Sequence, residues 1–185
     1  MKITDCAREM IQELSHVVAA IDDETAEQFV EYILQANKIF VAGAGRSGLM
    51  GRAFAMRLMQ MGFEAYVVGE TVTPNLDKGD LLIVGTGSGE TKTLLVMAEK
   101  ARNLNASIAV VSIFPESTIG RLSNIAVQLP AQPKTGSETG YQSIQPMGAL
   151  FEQSLMLFYD ALILMLMNRQ GTNASTMFSR HANLE

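Results

Sequence analysis

Five short apolar segments, separated by stretches with helical periodicity, run through the middle of the chain. They lie at residues 39–42, 65–68, 81–84, 107–112 and 125–129. Each is apolar almost throughout instead of alternating with polar residues, which is typical of strands buried on both faces of a parallel sheet. With the helices between them, these segments predict an α/β fold in which helices cover both faces of the sheet.

Helical periodicity accounts for much of the remaining chain. Apolar residues recur at three- and four-residue intervals in four segments, 3–20, 22–36, 49–61 and 92–103. A long apolar helix is predicted at 146–169, because Pro146 suits a first helical turn and Gly171 suits a helix end. A short helical turn is predicted near residues 175–180.

The length and the composition indicate a single globular domain over residues 1–185. We expect a sheet core at about residues 38–130, N-terminal helices at 3–36, and a C-terminal helix and tail at 146–185. The formal net charge of -5 argues against sequence-independent binding of nucleic acid, which requires a basic surface.

We expect a cytoplasmic protein with no membrane partner. The N-terminus lacks the basic stretch and the apolar stretch that a signal peptide combines. The most apolar segment, 155–167, contains Asp160 and falls short of the roughly 20 residues that span a bilayer. The single cysteine, Cys6, excludes an internal disulfide and fits a reducing compartment.

Two glycine-rich loops follow the first and the third predicted strands, at residues 43–48 and 85–91. A buried strand, a glycine turn with hydroxyl groups and a helix start form an anion-binding loop, because free backbone N–H groups face the ligand. Since the carboxyl ends of parallel strands lie at one edge of a sheet, both loops can line one crevice. A sugar phosphate, with one phosphate and several hydroxyls, is the ligand that matches best.

The residues of these loops predict how the phosphate is held. We expect it to contact the hydroxyls of Ser47, Ser88 and Thr91 and the backbone amides of the second loop, which comprise Thr86, Gly87, Ser88, Gly89 and Glu90. The Glu90 carboxylate would repel a phosphate dianion. We therefore expect it to turn away and cap its own helix.

Two other interpretations of the loops remain open. Gly43, Gly45 and Gly48 match the dinucleotide-binding fingerprint, and Glu70 ends the second strand, where a ribose-binding acid is expected. Against it, a second phosphate-type loop has no place in that scheme, and little chain remains for a substrate domain. In the other interpretation the glycines only make tight strand-to-helix turns, although the density of hydroxyl groups weighs against this.

The loops, taken with the end of the chain, carry a family resemblance. Residues 41–48 and 85–91 resemble the sugar isomerase (SIS) domain, and the length, the motif spacing and residues 180–185 resemble the 6-phospho-3-hexuloisomerases of that superfamily. The resemblance implies three α-β-α layers around a flavodoxin-like, five-stranded parallel sheet. It also implies a homo-oligomer, expected to be a tetramer, with no metal and no organic cofactor.

The implied reaction interconverts D-arabino-3-hexulose 6-phosphate and D-fructose 6-phosphate. It follows the condensation of formaldehyde with ribulose 5-phosphate in the ribulose monophosphate route. Isomerases of other sugar phosphates, including arabinose 5-phosphate or a heptulose phosphate, remain alternatives. A non-catalytic sugar-phosphate sensor is the alternative from another functional class, since SIS domains also serve as regulatory modules.

Glu152 is the candidate base for this reaction. Moving the carbonyl from C3 to C2 requires removal of the C2 proton and return of a proton to C3 through an enediolate, and one carboxylate can do both. Helical spacing places Glu152 on the apolar face of Ala149, Leu155, Met156 and Tyr159, where loss of water makes a carboxylate a stronger base. Spacing alone leaves open a solvated glutamate or one neutralised by an arginine. The corresponding glutamate of the resembled family is the proposed proton acceptor.

Three further residues are candidates for the site. In related sugar-phosphate isomerases a histidine, often from a neighbouring subunit, assists ring opening or hydroxyl proton transfer, and His181 is the candidate here. Arg46 lies in the right loop to stabilise the enediolate, although it is equally suited to hold the phosphate or a subunit interface. Lys134 and the polar loop 130–145 either close over the substrate or form a disordered surface loop.

Overall fold

A parallel sheet lies at the centre of the protein. The computed structural model describes residues 2–134 and 142–184. In that part of the chain the strands are β1 (Ile39–Gly43), β2 (Ala65–Val67), β3 (Leu81–Gly85), β4 (Ser107–Ser112) and β5 (Ile125–Gln128). Their order is β2-β1-β3-β4-β5, and every neighbouring pair is parallel. The predicted α/β class and the five-stranded, flavodoxin-like sheet are confirmed.

Helices pack on both faces of this sheet. They are α1 (Ile3–Ala19), α2 (Asp23–Gln35), α3 (Gly45–Met61), α4 (Lys92–Asn103), α5 (Thr118–Leu122), α6 (Ala149–Gln170) and α7 (Ala174–Phe178). The short helix α5 was not predicted. Because it has five residues, it offers too little periodicity to be recognised in the sequence.

Two predicted helix starts are wrong. Helix α3 begins at Gly45, four residues before the expected start, so the last four of the six residues of the first glycine-rich loop are helical. Helix α6 begins at Ala149 instead of Pro146, because Met147 and Gly148 both have left-handed backbone conformations with φ of 59° and 76°. A left-handed residue cannot continue a right-handed helix, and the chain therefore enters α6 three residues later.

The strands divide the core into two halves. Successive side chains of a strand point to opposite faces. On one face, Ile39, Val41, Leu81 and Ile83 pack with α2, α3 and α6. On the other, Phe40, Ala42, Leu82 and Val84 pack with α4 and α5. The helices that follow β1 and β3 therefore lie on opposite faces, which leaves a crevice between the two loops that leave these neighbouring strands.

Helix α6 is a core helix. Its length and composition would allow it to cross a membrane, but more than half of its apolar stretch is buried inside the protein. Tyr159 stacks on Phe54 of α3 with ring centroids 4.2 Å apart, and Phe158 meets Phe29 of α2 edge-on at 5.9 Å. These contacts fix α6 against its neighbours. On its outer side, Leu157 and Leu164 are exposed.

Two glycines bring β1 and α3 close together. A Cβ atom on Gly48 would lie 2.7 Å from the carbonyl oxygen of Gly43, and one on Gly43 would lie 2.8 Å from the Cα of Gly48. Both neighbours are backbone atoms, so only a movement of the strand against the helix could relieve the contact. Two of the three fingerprint glycines thus serve tight strand-to-helix packing.

We predict that Gly48→Ala lowers the free energy of unfolding by about 1–3 kcal/mol, the usual cost of overpacking. Inside a helix the same change normally stabilises by about 0.5–1 kcal/mol, so the sign of the effect tests the contact. Urea unfolding of both proteins measures the difference. A variant as stable as the parent would contradict the prediction.

Candidate active site

A cleft of about 600 Å³ lies at the carboxyl edge of the sheet. This volume is within the range of small-molecule sites, roughly 300–1,000 Å³. Its lining comes from the first turns of α3, α4 and α6, the loop between β3 and α4, and residues 113–117 after β4. Because the N-terminal ends of three helices border the cleft, their dipoles favour an anion there.

The loop between β3 and α4 uses much of its own polar backbone to hold its shape. The amide of Thr86 donates to the carbonyl of Val111 (3.0 Å), and that of Gly89 donates to Thr86 Oγ1 (3.2 Å). The amide of Glu90 donates to Ser88 Oγ (3.2 Å). The expectation that all amides from Thr86 to Glu90 serve the ligand is therefore wrong. Among the described residues, the amides of Gly87 and Ser88 are the ones in this set without a partner.

Three hydroxyl groups of the cleft have protons to donate. Ser47 lies in the first turn of α3 and is 7% exposed, and Thr91 is the N-cap residue of α4 without a side-chain capping bond. Neither hydroxyl has a hydrogen-bond partner within residues 2–134 and 142–184. Ser88 Oγ accepts one bond and keeps its own proton for donation. These hydroxyls and the two free amides form a neutral donor set suited to a phosphate.

The Glu90 carboxylate is engaged outside this donor set. Its Oε1 accepts a hydrogen bond from the amide of Thr118 (2.7 Å), and this bond lowers the pKa of Glu90. The side chain thus caps α5, and the expectation that it caps its own helix is wrong. The amide of Ile119 donates to the carbonyl of Gly89 (3.1 Å), so the start of α5 is tied to this loop. Glu90 therefore supports the loop by joining it to the start of α5.

Glu152 lies in the first turn of α6 and is 2% exposed. Arg46 Nη1 lies 3.0 Å from its Oε2, and Lys134 Nζ lies 3.8 Å from its Oε1. The expected burial and the arginine of the alternative interpretation thus occur together. Since a buried charge is costly unless it is paired, the two cations account for a carboxylate at this position.

Arg46 and Lys134 meet at a residue that lies far from both in the sequence. The contact of Arg46 in the structure is with the Glu152 carboxylate and not with the hydroxyl groups of the cleft. Lys134 lines the cleft, although residues 135–141 of its loop lie outside the described residues, so closure of that loop over a ligand stays a prediction. No periodicity or motif links these three positions, so the sequence allowed an arginine beside Glu152 but indicated neither Arg46 nor Lys134 as its partner.

His181 lies at the far end of α3 from the cleft. Its exposed ring stacks near Phe178, in a second depression that Arg57 and Gln60 also line. The neighbouring Arg180 donates to the carbonyl of Gln60 at 3.3 Å. From Ser47 to Gln60, α3 rises about 20 Å at 1.5 Å per residue. The structure therefore does not bring His181 together with Glu152 of the same chain, and Glu185 at the end of the tail lies outside the described residues.

Glu70 also lies apart from the cleft. Its carboxylate forms an ion pair with Arg52 of α3, and it is not among the residues that line the cleft. In the dinucleotide-binding scheme this acid would face a ribose beside the first glycine loop. Glu70 is therefore not positioned to bind a ribose in the cleft, and the dinucleotide-binding interpretation loses the acidic residue on which it depended.

Known proteins resemble this chain in sequence. The sequence profile of the SIS domain matches residues 32–157, which include both glycine loops and Glu152. The chain is 52% identical to 3-hexulose-6-phosphate isomerase of Bacillus subtilis over 185 residues, covering 100% of both chains. It is 39% identical to the enzyme of that name from Mycobacterium gastri, over 94% of this chain and 86% of the relative.

A solved structure agrees with these matches. The crystal structure of a Methanococcus jannaschii protein, for which the function of 3-hexulose-6-phosphate isomerase was inferred, superimposes with a TM-score of 0.86. The two chains are 32% identical, and the match covers 98% of this chain and 99% of the other.

We predict that Ser88→Ala raises the Kd for fructose 6-phosphate at least about tenfold, because a hydrogen bond to a charged group contributes about 1.5–3 kcal/mol. Isothermal titration calorimetry measures the change. Ser107→Ala is the matched control, since Ser107 begins β4 at the opposite edge of the sheet. Equal affinity of the two variants would argue against a phosphate contact at Ser88.

Proposed function

The chain belongs to the SIS domain family and, within it, to the 3-hexulose-6-phosphate isomerases, and we propose that it interconverts D-arabino-3-hexulose 6-phosphate and D-fructose 6-phosphate. The observation that carries this proposal is the buried carboxylate of Glu152, which shares a cleft with a phosphate-type donor set. A protein that only binds a sugar phosphate needs nothing more than the donor set. A paired, water-poor carboxylate beside it is what proton abstraction from a sugar carbon requires.

The phosphate is held by Ser47, Ser88 and Thr91 at the ends of α3 and α4, where helix dipoles and hydroxyl donors act together. This contact is made equally in the ground state and the transition state, so it orients the sugar without accelerating the chemistry. Glu152 then removes the C2 proton of the 3-ketose and returns it to C3 of the enediolate. One base can serve both carbons because C2 and C3 are adjacent and Glu152 approaches both from the same face of the planar enediolate.

We also propose that the protein is a cytoplasmic homo-oligomer, a tetramer, and that His181 acts in the cleft of a neighbouring subunit. The distance of about 20 Å along α3 supports a role outside its own cleft. Exposed apolar residues support subunit contacts; they are Ile11 and Val18 on α1 and Leu157 and Leu164 on α6. In the cell, the enzyme would act after the condensation of formaldehyde with ribulose 5-phosphate.

We predict that Glu152→Gln lowers kcat by about 10²–10⁴, the usual contribution of a general base, while fructose 6-phosphate still binds. The decisive readout is NMR of fructose 6-phosphate in deuterated water. The parent protein should introduce deuterium at C3, and the variant should not.

Glu99→Gln is the matched control, because Glu99 is an exposed glutamate of α4. Tight binding by the parent without any exchange would overturn the isomerase and support a sensor. Retained turnover by Glu152→Gln would overturn the assignment of the base.

We predict that His181→Asn and Glu152→Gln subunits complement each other. Each variant alone should be nearly inactive, but mixed oligomers from co-expression place an intact Glu152 beside an intact His181 in some clefts. Steady-state assays of oligomers purified through a tag on each subunit measure the recovery. The proposal fails if His181→Asn alone is fully active or if the mixed oligomers remain inactive.

A further inference from the structure

We propose that Lys134 is a further catalytic residue, the cation that stabilises the enediolate oxygen, and that Arg46 instead positions the base. This inference rests on the proposed isomerase function and assigns the electrophile of the same cleft. It replaces the alternative in which Arg46 itself stabilises the enediolate.

The distances of the two cations from Glu152 separate their roles. Arg46 Nη1 is 3.0 Å from Oε2, a distance within the usual hydrogen-bond range of about 2.7–3.2 Å, but the contact is an ion pair without hydrogen-bond geometry, since Oε2 accepts no hydrogen bond among the described residues. Lys134 Nζ is 3.8 Å from Oε1, outside that range but close enough for electrostatic attraction. The arginine is therefore the closer ion-pair partner of the carboxylate, and the lysine ammonium directs its donors to no atom of Glu152 at hydrogen-bond distance. A substrate oxygen can lie between Lys134 and Glu152 while the contact with Arg46 persists.

The lining of the cleft points the same way, although the two side chains are similarly exposed, 55% for Arg46 and 56% for Lys134. Lys134 lines the cleft and its side chain is 56% exposed, so a ligand can reach the ammonium group. Arg46 is not among the residues that line the cleft. Lysine also suits the role chemically, because its compact ammonium carries three donors that can follow an oxygen as charge develops.

The position of Lys134 relative to the base is set by Gly148. A Cβ atom on Gly148 would lie 3.2 Å from Lys134 Cγ, so the lysine stem packs directly over this residue. Gly148 has a φ of 76° and is the N-cap residue of α6, four residues before Glu152. The start of α6 thus holds both groups: Glu152 is part of the helix, and Lys134 packs against its N-cap residue.

Hydrogen bonds hold the residues next to Lys134 in place. Gln132 Oε1 accepts from the amide of Ser143 at 2.7 Å. The Glu13 carboxylate of α1 accepts from the hydroxyl of Ser143 and from the amide of Ile144, both at 2.8 Å. The segment that carries Lys134 is therefore tied to residues 143–144, and through them to α1.

The reaction explains why a cation is needed there. When Glu152 takes the C2 proton, the electron pair of the C–H bond forms the C2=C3 double bond, and the carbonyl electrons move onto O3. The ammonium of Lys134 donates a hydrogen bond to this developing negative charge and keeps its own proton. The hydroxyl proton on O2 then passes to O3, Glu152 returns its proton to C3, and C2=O forms.

Chemical rescue of Lys134→Ala tests this role. We expect the variant to lose about 10²–10³ in kcat, as when one oxyanion donor is removed, with the Kd for fructose 6-phosphate changed less than about threefold, since enediolate stabilisation acts on the transition state. Added ethylamine should restore kcat in a saturable way, because its ammonium can occupy the vacated space. A purely structural role of the side chain would not respond to an amine. Lys100→Ala is the matched control, since Lys100 lies in the last turn of α4, and it should keep the activity of the parent with or without amine.

The outcomes separate this inference from the proposed function. If the parent turns over and Lys134→Ala is fully active, the role of Lys134 alone is overturned. The same holds if Lys134→Ala is slow and ethylamine does not restore its kcat. An inactive parent would overturn the isomerase and this inference with it. Lys134→Gln serves as a second variant, and its circular dichroism spectrum should match that of the parent because the side chain is half exposed.

Discussion

The burial of the Glu152 charge is the constraint on which the site depends. A carboxylate removed from water is strongly destabilising unless opposite charges and donors surround it. Here the compensation comes from Arg46 in the first turn of α3 and Lys134 before α6, which lie in other parts of the chain, and from the N-terminal end of the same helix, α6. The fold must bring these parts together, and in doing so it assembles a charged group of the kind that proton transfer requires.

The core decides where this charge lies. Helix α6 is held by the stacking of Tyr159 on Phe54 and by close packing on β3, where a Cβ atom on Gly85 would lie 2.9 Å from Leu155 and from the Tyr159 hydroxyl. That hydroxyl is buried without a hydrogen-bond partner among the described residues, and burial raises the pKa of Tyr159. An unsatisfied buried hydroxyl is destabilising, so the packing that positions the helix is obtained at some loss of stability.

The glycine loops and α6 contribute different kinds of chemical group to the cleft. The loops provide neutral donors at helix N-termini, which suit a phosphate dianion without placing a full positive charge there. The charged groups gather instead at the start of α6, where the sugar carbons would lie. Glu90 shows the same separation, because its carboxylate is bound to the amide of Thr118. In the function proposed above, binding and chemistry thus depend on different chemical groups within one cleft.

The sequence by itself determined the elements that arise from local periodicity. Apolar runs predicted the strands, and the parallel arrangement that they imply placed both glycine loops at one edge of the sheet. Helical spacing placed Glu152 on a buried face. These features follow from the geometry of single elements, so neighbouring residues suffice to reveal them.

Only the tertiary structure decided which side chains meet. The contact of Lys134 and Arg46 with Glu152, the bond between Glu90 and α5, and the separation of His181 from its own cleft all join or divide distant segments. Such contacts depend on how elements pack, on where a left-handed residue such as Gly148 lets a helix begin, and on how the chain returns to the sheet. No local pattern encodes these distances, because each is set by the whole core.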